Sequence, residues 1–355
     1  MTSSATLLYS EIEEELRASV RALLADRCPP AAVLKRAESE PADLDLWKTL
    51  AGEIGVAGLL IPEELGGAGA GPGEAGVVLE ELGRAVAPVP FLTSAVLATR
   101  ALLPTRDALL GELAEGRRTA ALAVSLAASP YRPLRGSQVR IEGGRLTGTV
   151  TGVAGADVAD VLLVPVDGEL YAAEGASVAV VPSLDLTRPV ATVTFDRVQA
   201  RRVGACDLAA VLRFGAALLA SEQLGVAEWC LETTLAYVKE RHQFARPIGS
   251  FQALKHRLAD LWLDVVRARA AARNAAADPS GVSVAVAQAW NAGVAVRVAE
   301  EALQLHGGIG MTWEHPVHLY LKRAKATEIA LGTPGDHRAA LASLAGVPGP
   351  EGGEQ

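Results

Sequence analysis

Cysteine is scarce: Cys28, Cys206 and Cys230 are the only three in 355 residues. An odd count without metal-ligand spacing argues against a thiolate metal site and fits a reducing compartment, so no metal is expected. Basic clusters are missing too. With 33 Lys and Arg against 41 Asp and Glu, a net charge of -8 and no run of five or more basic residues, a nucleic-acid partner is excluded. No uninterrupted apolar run reaches the ~18 to 20 residues that span a bilayer, so no membrane is expected. Tracts such as Ala270 to Ala277 contain Arg and Asn and suit helices of a soluble bundle. Residues Met1 to Ala5 carry no basic stretch leading into an apolar one, so a cytoplasmic location is expected. What is present is apolar: at 50% hydrophobic residues, the chain can bury one large core or two to three smaller ones.

The pattern changes twice along the chain. From Ser10 to Leu113 apolar residues recur at helical spacing, broken at Pro29-Pro30, at Gly66 to Gly71 and at Pro88 to Pro90. Short Val-rich runs follow: Ala121 to Leu126, Ser137 to Ile141, Arg145 to Val153, Asp160 to Val166, Ser177 to Val181 and Ala191 to Phe195. Their β-branched content and Gly, Asp and Pro boundaries predict a small antiparallel β-domain. Helical periodicity returns over Leu208 to His242, Ser250 to Ala277, Gly281 to His306 and Pro316 to Leu331, which predicts an up-down four-helix bundle. The fold class is therefore multidomain α+β. The divisions are a helical domain over 1–115, the β-domain over 116–205, the bundle over 206–345 and a Gly/Pro/Glu-rich tail over 346–355 expected to be disordered.

Two segments in the bundle carry candidate chemistry: Arg241 to Gln252 and Gln304 to Gly310. Gln304 stands near the end of an amphipathic helix that Gly307 and Gly308 terminate. The glycines are open to two readings, a Schellman cap or a backbone that lets a pyrophosphate approach closely. Arg241 can pair a phosphate, Phe244 can pack on a ring, and Gln252 can bond an adenine or ribose edge. Alternatively, Arg241, Gln243, Phe244 and Gln252 are a solvated helix end and a Pro247-containing turn. His306, His315 and His318 lack a paired acid or thiolate and read as loop or interface histidines. Trp313 to Pro316 fixes the loop after the glycines, and Asp336 is placed as the N-cap of a last helix.

Taken together, these segments resemble the acyl-CoA dehydrogenase family from about Leu46 to Leu341. Trp47 to Gly67 is similar to the family's W..LAE.G..GL..PEE.GG run, with Leu79 to Ala85 after it. Arg241 to Gln252 and Gln304 to Gly310 are similar to R.QFG.PI..FQ and Q..GG.G. The resemblance implies that Arg241, Gln243, Phe244, Gln252, Gln304, Gly307 and Gly308 grip the adenine end of an FAD whose ring lies in a neighbouring subunit. It further implies oxidation of an acyl-CoA thioester, with a Glu taking the α-proton, the flavin accepting the β-hydride, and an electron-transfer flavoprotein as acceptor. A desolvated Glu suits the work because burial raises its basicity. Here the two positions that relatives use for it hold Leu331 and Gly215. The flavin loop TEP.AGSD is replaced by Val124 to Pro130, where Ser125 can still offer a hydroxyl, and W.TN by Gly152 to Ala154.

Three readings follow. The chain resembles the base-less subunit of heteromeric actinobacterial members that process bulky thioesters such as sterol side chains, acting in a heterotetramer with a catalytic homologue. Or it is a self-sufficient homotetramer with Glu328 as a displaced base, on one helix face with Leu331; Glu222, seven residues past Gly215, is ~10 Å away along the axis. Or the fold is reused as a dehydratase or a binding scaffold.

Overall fold

The computed structural model describes residues 7–39, 42–132 and 139–347. The first part is helical: α1 (Glu11–Arg27), α2 (Pro30–Arg36), α3 (Leu44–Thr49), α4 (Pro72–Arg84), α5 (Thr99–Leu102) and α6 (Leu109–Ala114). A capping box starts α1, Ser10 accepting from the Glu13 amide and the Glu13 carboxylate accepting from the Ser10 amide. Between α4 and α5, Phe91–Ala98 is π-helical and wholly buried, and it packs on both the sheet and the bundle. Sequence periodicity is useless there, since every residue faces a neighbour.

The middle part is a sheet of β1 (Ala120–Leu122), β2 (Val139–Glu142), β3 (Arg145–Ala154), β4 (Val161–Val166), β5 (Glu169–Ala173), β6 (Ser177–Val181) and β7 (Val190–Ala205). Its order is β1-β4-β5-β7-β3-β2, with β6 paired to β7. The expected antiparallel domain is in fact mixed: β1 runs parallel to β4, Ala120 opposite Val161 and Leu122 opposite Leu163. The long excursion through β2 and β3 between them permits the crossover that a parallel pair needs. Of the expected strand Ser137 to Ile141, the first two residues lie outside the described ones. Strand β5 was not expected, although Asp167 and Gly168 before it, at φ 50° and 81°, form the Asp-Gly hairpin turn that signals one. Strand β7 also runs ten residues beyond the Phe195 at which it was expected to end, past Arg197 at φ 51°, where the pairing with β3 shifts register.

The last part comprises α7 (Leu208–Glu240), a hairpin of β8 (His242–Gln243) and β9 (Arg246–Pro247), then α8 (Gln252–Ala277), α9 (Gly281–His306), α10 (Val317–Glu328) and α11 (Pro334–Leu344). Helix α7 is the axis of the molecule, packed by α4, α8, α9 and α10, and a helix so surrounded is apolar on every side. Helix α7 and the stretch Gly281–Met311 are therefore long and apolar enough to cross a membrane, contrary to expectation, but 78% and 67% of their most apolar windows are buried in the protein. Helix α4 crosses α7 closely because a Cβ on Gly83 would overlap the Glu222 carbonyl, and one on Gly225 the Glu80 carbonyl. Thr333, not Asp336, caps α11; Asp336 is the third residue of its capping box and accepts from the Thr333 amide. From residue 348 on, the expected tail lies outside the described residues.

Candidate functional site

Gly215 on α7 and Leu331, beyond α10, face one point in space. A Cβ on Gly215 would come within 3.0 Å of Leu331 Cδ1 and would overlap Leu97 Cδ2, which reaches in from the π-helical segment. Leu97 and Leu331 are buried, so the place where the motif alignment expects a carboxylate is packed with aliphatic carbon. Nothing in the motifs pointed to Leu97, which sits in a featureless apolar run of another domain.

The two acids considered as substitutes are not placed for the task. Glu328 was expected on a helix face with Leu331, but α10 ends at Glu328 and Leu331 has a left-handed backbone at φ 54°. Its carboxylate is partly exposed and 4.0 Å from Lys325 Nζ. Glu222 is buried and paired with Arg188 and Arg323, the latter also bonding Asp185 and Thr187. Burial alone would raise its carboxyl, but Arg188 and Arg323 outweigh that and hold it below the usual carboxylate range. This set, buried except for the partly buried Arg188, ties the 185–188 loop of the β-domain to α7 and α10.

On the flavin side, the segments that replace the family's loops bond directly to one another. The Leu126 amide donates to the Gly152 carbonyl at 2.8 Å, and the Leu331 amide donates to the Leu126 carbonyl at 2.7 Å. Gly152, at φ 71°, has Ser125 Oγ 3.0 Å from where its Cβ would be. His337 is buried, and burial depresses its pKa, so the ring is neutral at pH 7. Its Nε2–H donates to the Leu331 carbonyl at 3.2 Å, which leaves Nδ1 to accept from the Tyr131 hydroxyl at 3.0 Å. Arg132 pairs with Asp336 alongside.

The adenine-end set is gathered at one end of the bundle, where Tyr237 of α7 stacks on His306 of α9 with centroids 4.5 Å apart. Arg241, Gln243, Gln252 and Gln304 are all exposed, and Phe244 is 86% exposed. The hairpin tip holds Phe244 at φ 53° and Ala245 at φ 62°, and where the family pattern has a glycine this chain has Ala245. Arg246 lies 3.9 Å over the Phe251 ring. Gly307 is not a Schellman cap: its φ of 62° and ψ of -139° belong to a region that is essentially glycine's alone. A Cβ on Gly307 or Gly308 would meet nothing within 4 Å, so an approaching body finds bare backbone. Of the histidines read as loop or interface residues, His306 ends α9 and is buried between Tyr237 and His315, while Trp313 stacks on His318 and donates to Glu38. Among the described residues no group of three His, Cys, Asp or Glu could hold a metal.

Comparison with known proteins defines the class. The chain matches the acyl-CoA dehydrogenase N-terminal domain over residues 10–104 and the acyl-CoA dehydrogenase C-terminal domain over 206–344. It is 39% identical to the acyl-CoA dehydrogenase IpdE2 of Mycolicibacterium smegmatis over 92% of this chain and 96% of that protein. It is also similar to a chain of the ChsE4-ChsE5 complex from Mycobacterium tuberculosis, with a TM-score of 0.84 and 32% identity over 97% and 100% of the two chains. A Mycobacterium smegmatis glutaryl-CoA dehydrogenase in complex with FADH2 shares the fold at TM-score 0.83, with 20% identity over 97% of each chain. The chain belongs to the acyl-CoA dehydrogenase family, whose cofactor is FAD. The residues here fit that cofactor unequally. The exposed Arg241, the three glutamines and the open Gly307-Gly308 backbone suit its adenine and pyrophosphate, whereas the 126, 152 and 331 segments, where the family patterns put the flavin loops, are bonded to one another.

Proposed function

We propose that this chain is the non-catalytic subunit of a heteromeric acyl-CoA dehydrogenase. A homologous chain supplies the carboxylate base and the flavin-ring pocket, and this chain holds the far end of the shared FAD. The observation that carries the reading is the convergence of Gly215, Leu331 and Leu97 on the base position, all without a proton-accepting group. Support comes from the similarity to a chain of the two-component ChsE4-ChsE5 complex. FAD supplies the hydride acceptor for α,β-desaturation of an acyl-CoA thioester. Arg241 binds its phosphate, Gln252 and Gln304 orient its nucleotide, and Phe244 covers a ring edge, none of them touching the reacting carbons. A bulky thioester such as a sterol side chain is the proposed substrate, an electron-transfer flavoprotein the acceptor, and the cytoplasm the location. Unpaired Cys28, Cys206 and Cys230 agree with a reducing compartment.

The test is Arg241→Ala in the assembled complex. A charge-assisted bond to phosphate contributes about 1.5–3 kcal/mol, so FAD retention should weaken roughly 10- to 100-fold while turnover per bound flavin stays near wild type. Unchanged flavin retention would refute the adenine-end assignment.

A further inference from the structure

Three histidines that the cofactor reading leaves unused meet at the loop carrying the open glycines. His306 ends α9 directly before Gly307, and its ring lies between Tyr237 and His315, the His315 centroid 4.4 Å away. His318, in the first turn of α10, stacks on Trp313 at 4.5 Å. Three contacts fasten the segment 307–316. The Trp313 indole donates to Glu38, just beyond α2. His318 Nε2–H donates to the Trp313 carbonyl at 3.1 Å, and His315 Nδ1 accepts at 3.3 Å from the amide of Val317, the first residue of α10.

The last two contacts are built for neutral rings. Val317 can donate to His315 only while Nδ1 carries no proton. His318 already uses Nε2 as its donor, and its Nδ1 is enclosed without a partner, so a proton there becomes a buried donor with nothing to accept it. Both rings also stand at the N-terminal end of α10, where the helix dipole disfavours a cation. The surroundings offer no compensation. Facing the cluster are Tyr237 from α7, Lys322 from α10, which lies 4.5 Å over the Trp313 ring, and Glu38, whose carboxylate is engaged by the indole. Glu314, within the loop, is exposed, and among the described residues no carboxylate acts on any of the three histidines. Burial first of all holds the three below the usual 6.5. The charges of His306 and His318 lower His315 further, as Lys322 does His318, while bonds to the Ala302 and Trp313 carbonyls partly counter the effect at His306 and His318.

We propose that His315 and His318, backed by His306, form a proton-operated latch on the 307–316 loop. Neutral, they fasten the loop to the start of α10; protonated, they release it together with the Gly307-Gly308 backbone. Since the folded values lie below 6.5, the latch is fully in place above about pH 6.5 and weakens as the pH falls from there through those values, each histidine adding up to about tenfold per pH unit. The consequence for FAD, weaker retention in acid, rests on the adenine-end reading above. The test is hydrogen exchange of the full chain, read by mass spectrometry at about pH 7.5 and 5.5 and corrected for the intrinsic rates. Protection of the 307–316 segment should fall roughly tenfold or more in wild type while α8 keeps its own. In His315→Asn with His318→Gln, the amides reproduce the Nδ1 acceptor and the Nε2 donor but do not titrate, so protection should be the same at both pH values. Constant protection in wild type, or an equal fall in the double variant, overturns the latch. Should the double variant fail to fold, the ring resonances of wild type decide: His315 and His318 must titrate together with the loss of protection, and titration apart from it overturns the proposal. Flavin retention by the assembled complex at the two pH values separates the two readings. A loop that opens while FAD stays bound equally well leaves the latch standing and refutes the part given to Gly307 and Gly308.

Discussion

Gly215 shows how much a single position can conceal. Motif spacing led to Gly215 and Leu331 as the two expected base positions, but could not show that they meet, nor that Leu97 fills the gap between them. Leu97 belongs to a run in which every side chain is buried, and such a run has no period to read. Gly215→Glu should therefore not create an enzyme. It forces a carboxylate onto Leu97, and overpacking alone costs about 1–3 kcal/mol before the buried charge is counted. Denaturant unfolding should show that loss, Leu97→Ala should recover part of it, and neither protein should turn over. The buried ion pairs were equally hidden, because Asp185, Glu222 and Arg323 are far apart in sequence. Truncating Arg323 to Ala leaves the buried Asp185 carboxylate without an ion-pair partner and Glu222 with Arg188 alone, with an expected loss of about 3–5 kcal/mol. Glu80 behaves in the opposite sense: burial first, then the charge of Glu228, push its carboxyl up to about 7, while Tyr9 and Arg17 partly counter them. The folded chain thus holds a proton that the unfolded chain gives up near pH 4, so this group's contribution falls as the pH rises from about 4.5 through 7. In Glu80→Gln that segment of the stability-pH curve should flatten; a curve parallel to wild type would contradict the assignment.

Elements with punctuated ends were legible and the others were not. The bundle helices begin or end at Asp207, Ser280, Pro316 and Thr333-Pro334, each with a capping or breaking role, and their predicted limits lie within two or three residues of those observed. The exception is the end of α10, where three residues decide whether Glu328 faces Leu331 and no Gly or Pro marks the stop. In the sheet, β5 was lost because its neighbour β4 reads as one continuous apolar run. The β8–β9 hairpin presents a testable anomaly, since Phe244 and Ala245 both adopt positive φ and alanine pays for it. Ala245→Gly should stabilise the isolated chain by up to ~1 kcal/mol in denaturant melts. If it stabilises the chain yet weakens FAD retention, the tight tip serves to aim Phe244 and Gln243; equal retention would leave the tip with no binding role.

Across the whole molecule, the sequence conveyed the three-part order and the family, because both rest on long periodic stretches and on motifs whose spacing survives. The replaced TEP.AGSD and W.TN runs already pointed to unequal cofactor halves, but not to the bonds that join the 126, 152 and 331 segments, which lie far apart in the chain. The exposed adenine-end set and the aliphatic packing of Gly215, Leu97 and Leu331 are the two observations that the proposed partner chain would reconcile. The most direct measurement is flavin content and acyl-CoA oxidation with an artificial acceptor, for the chain purified alone and with a base-carrying homologue. The chain alone should show no stoichiometric flavin and no turnover, and the joint preparation one FAD for each pair of chains with turnover. One FAD per protomer and turnover from the chain alone would contradict the account.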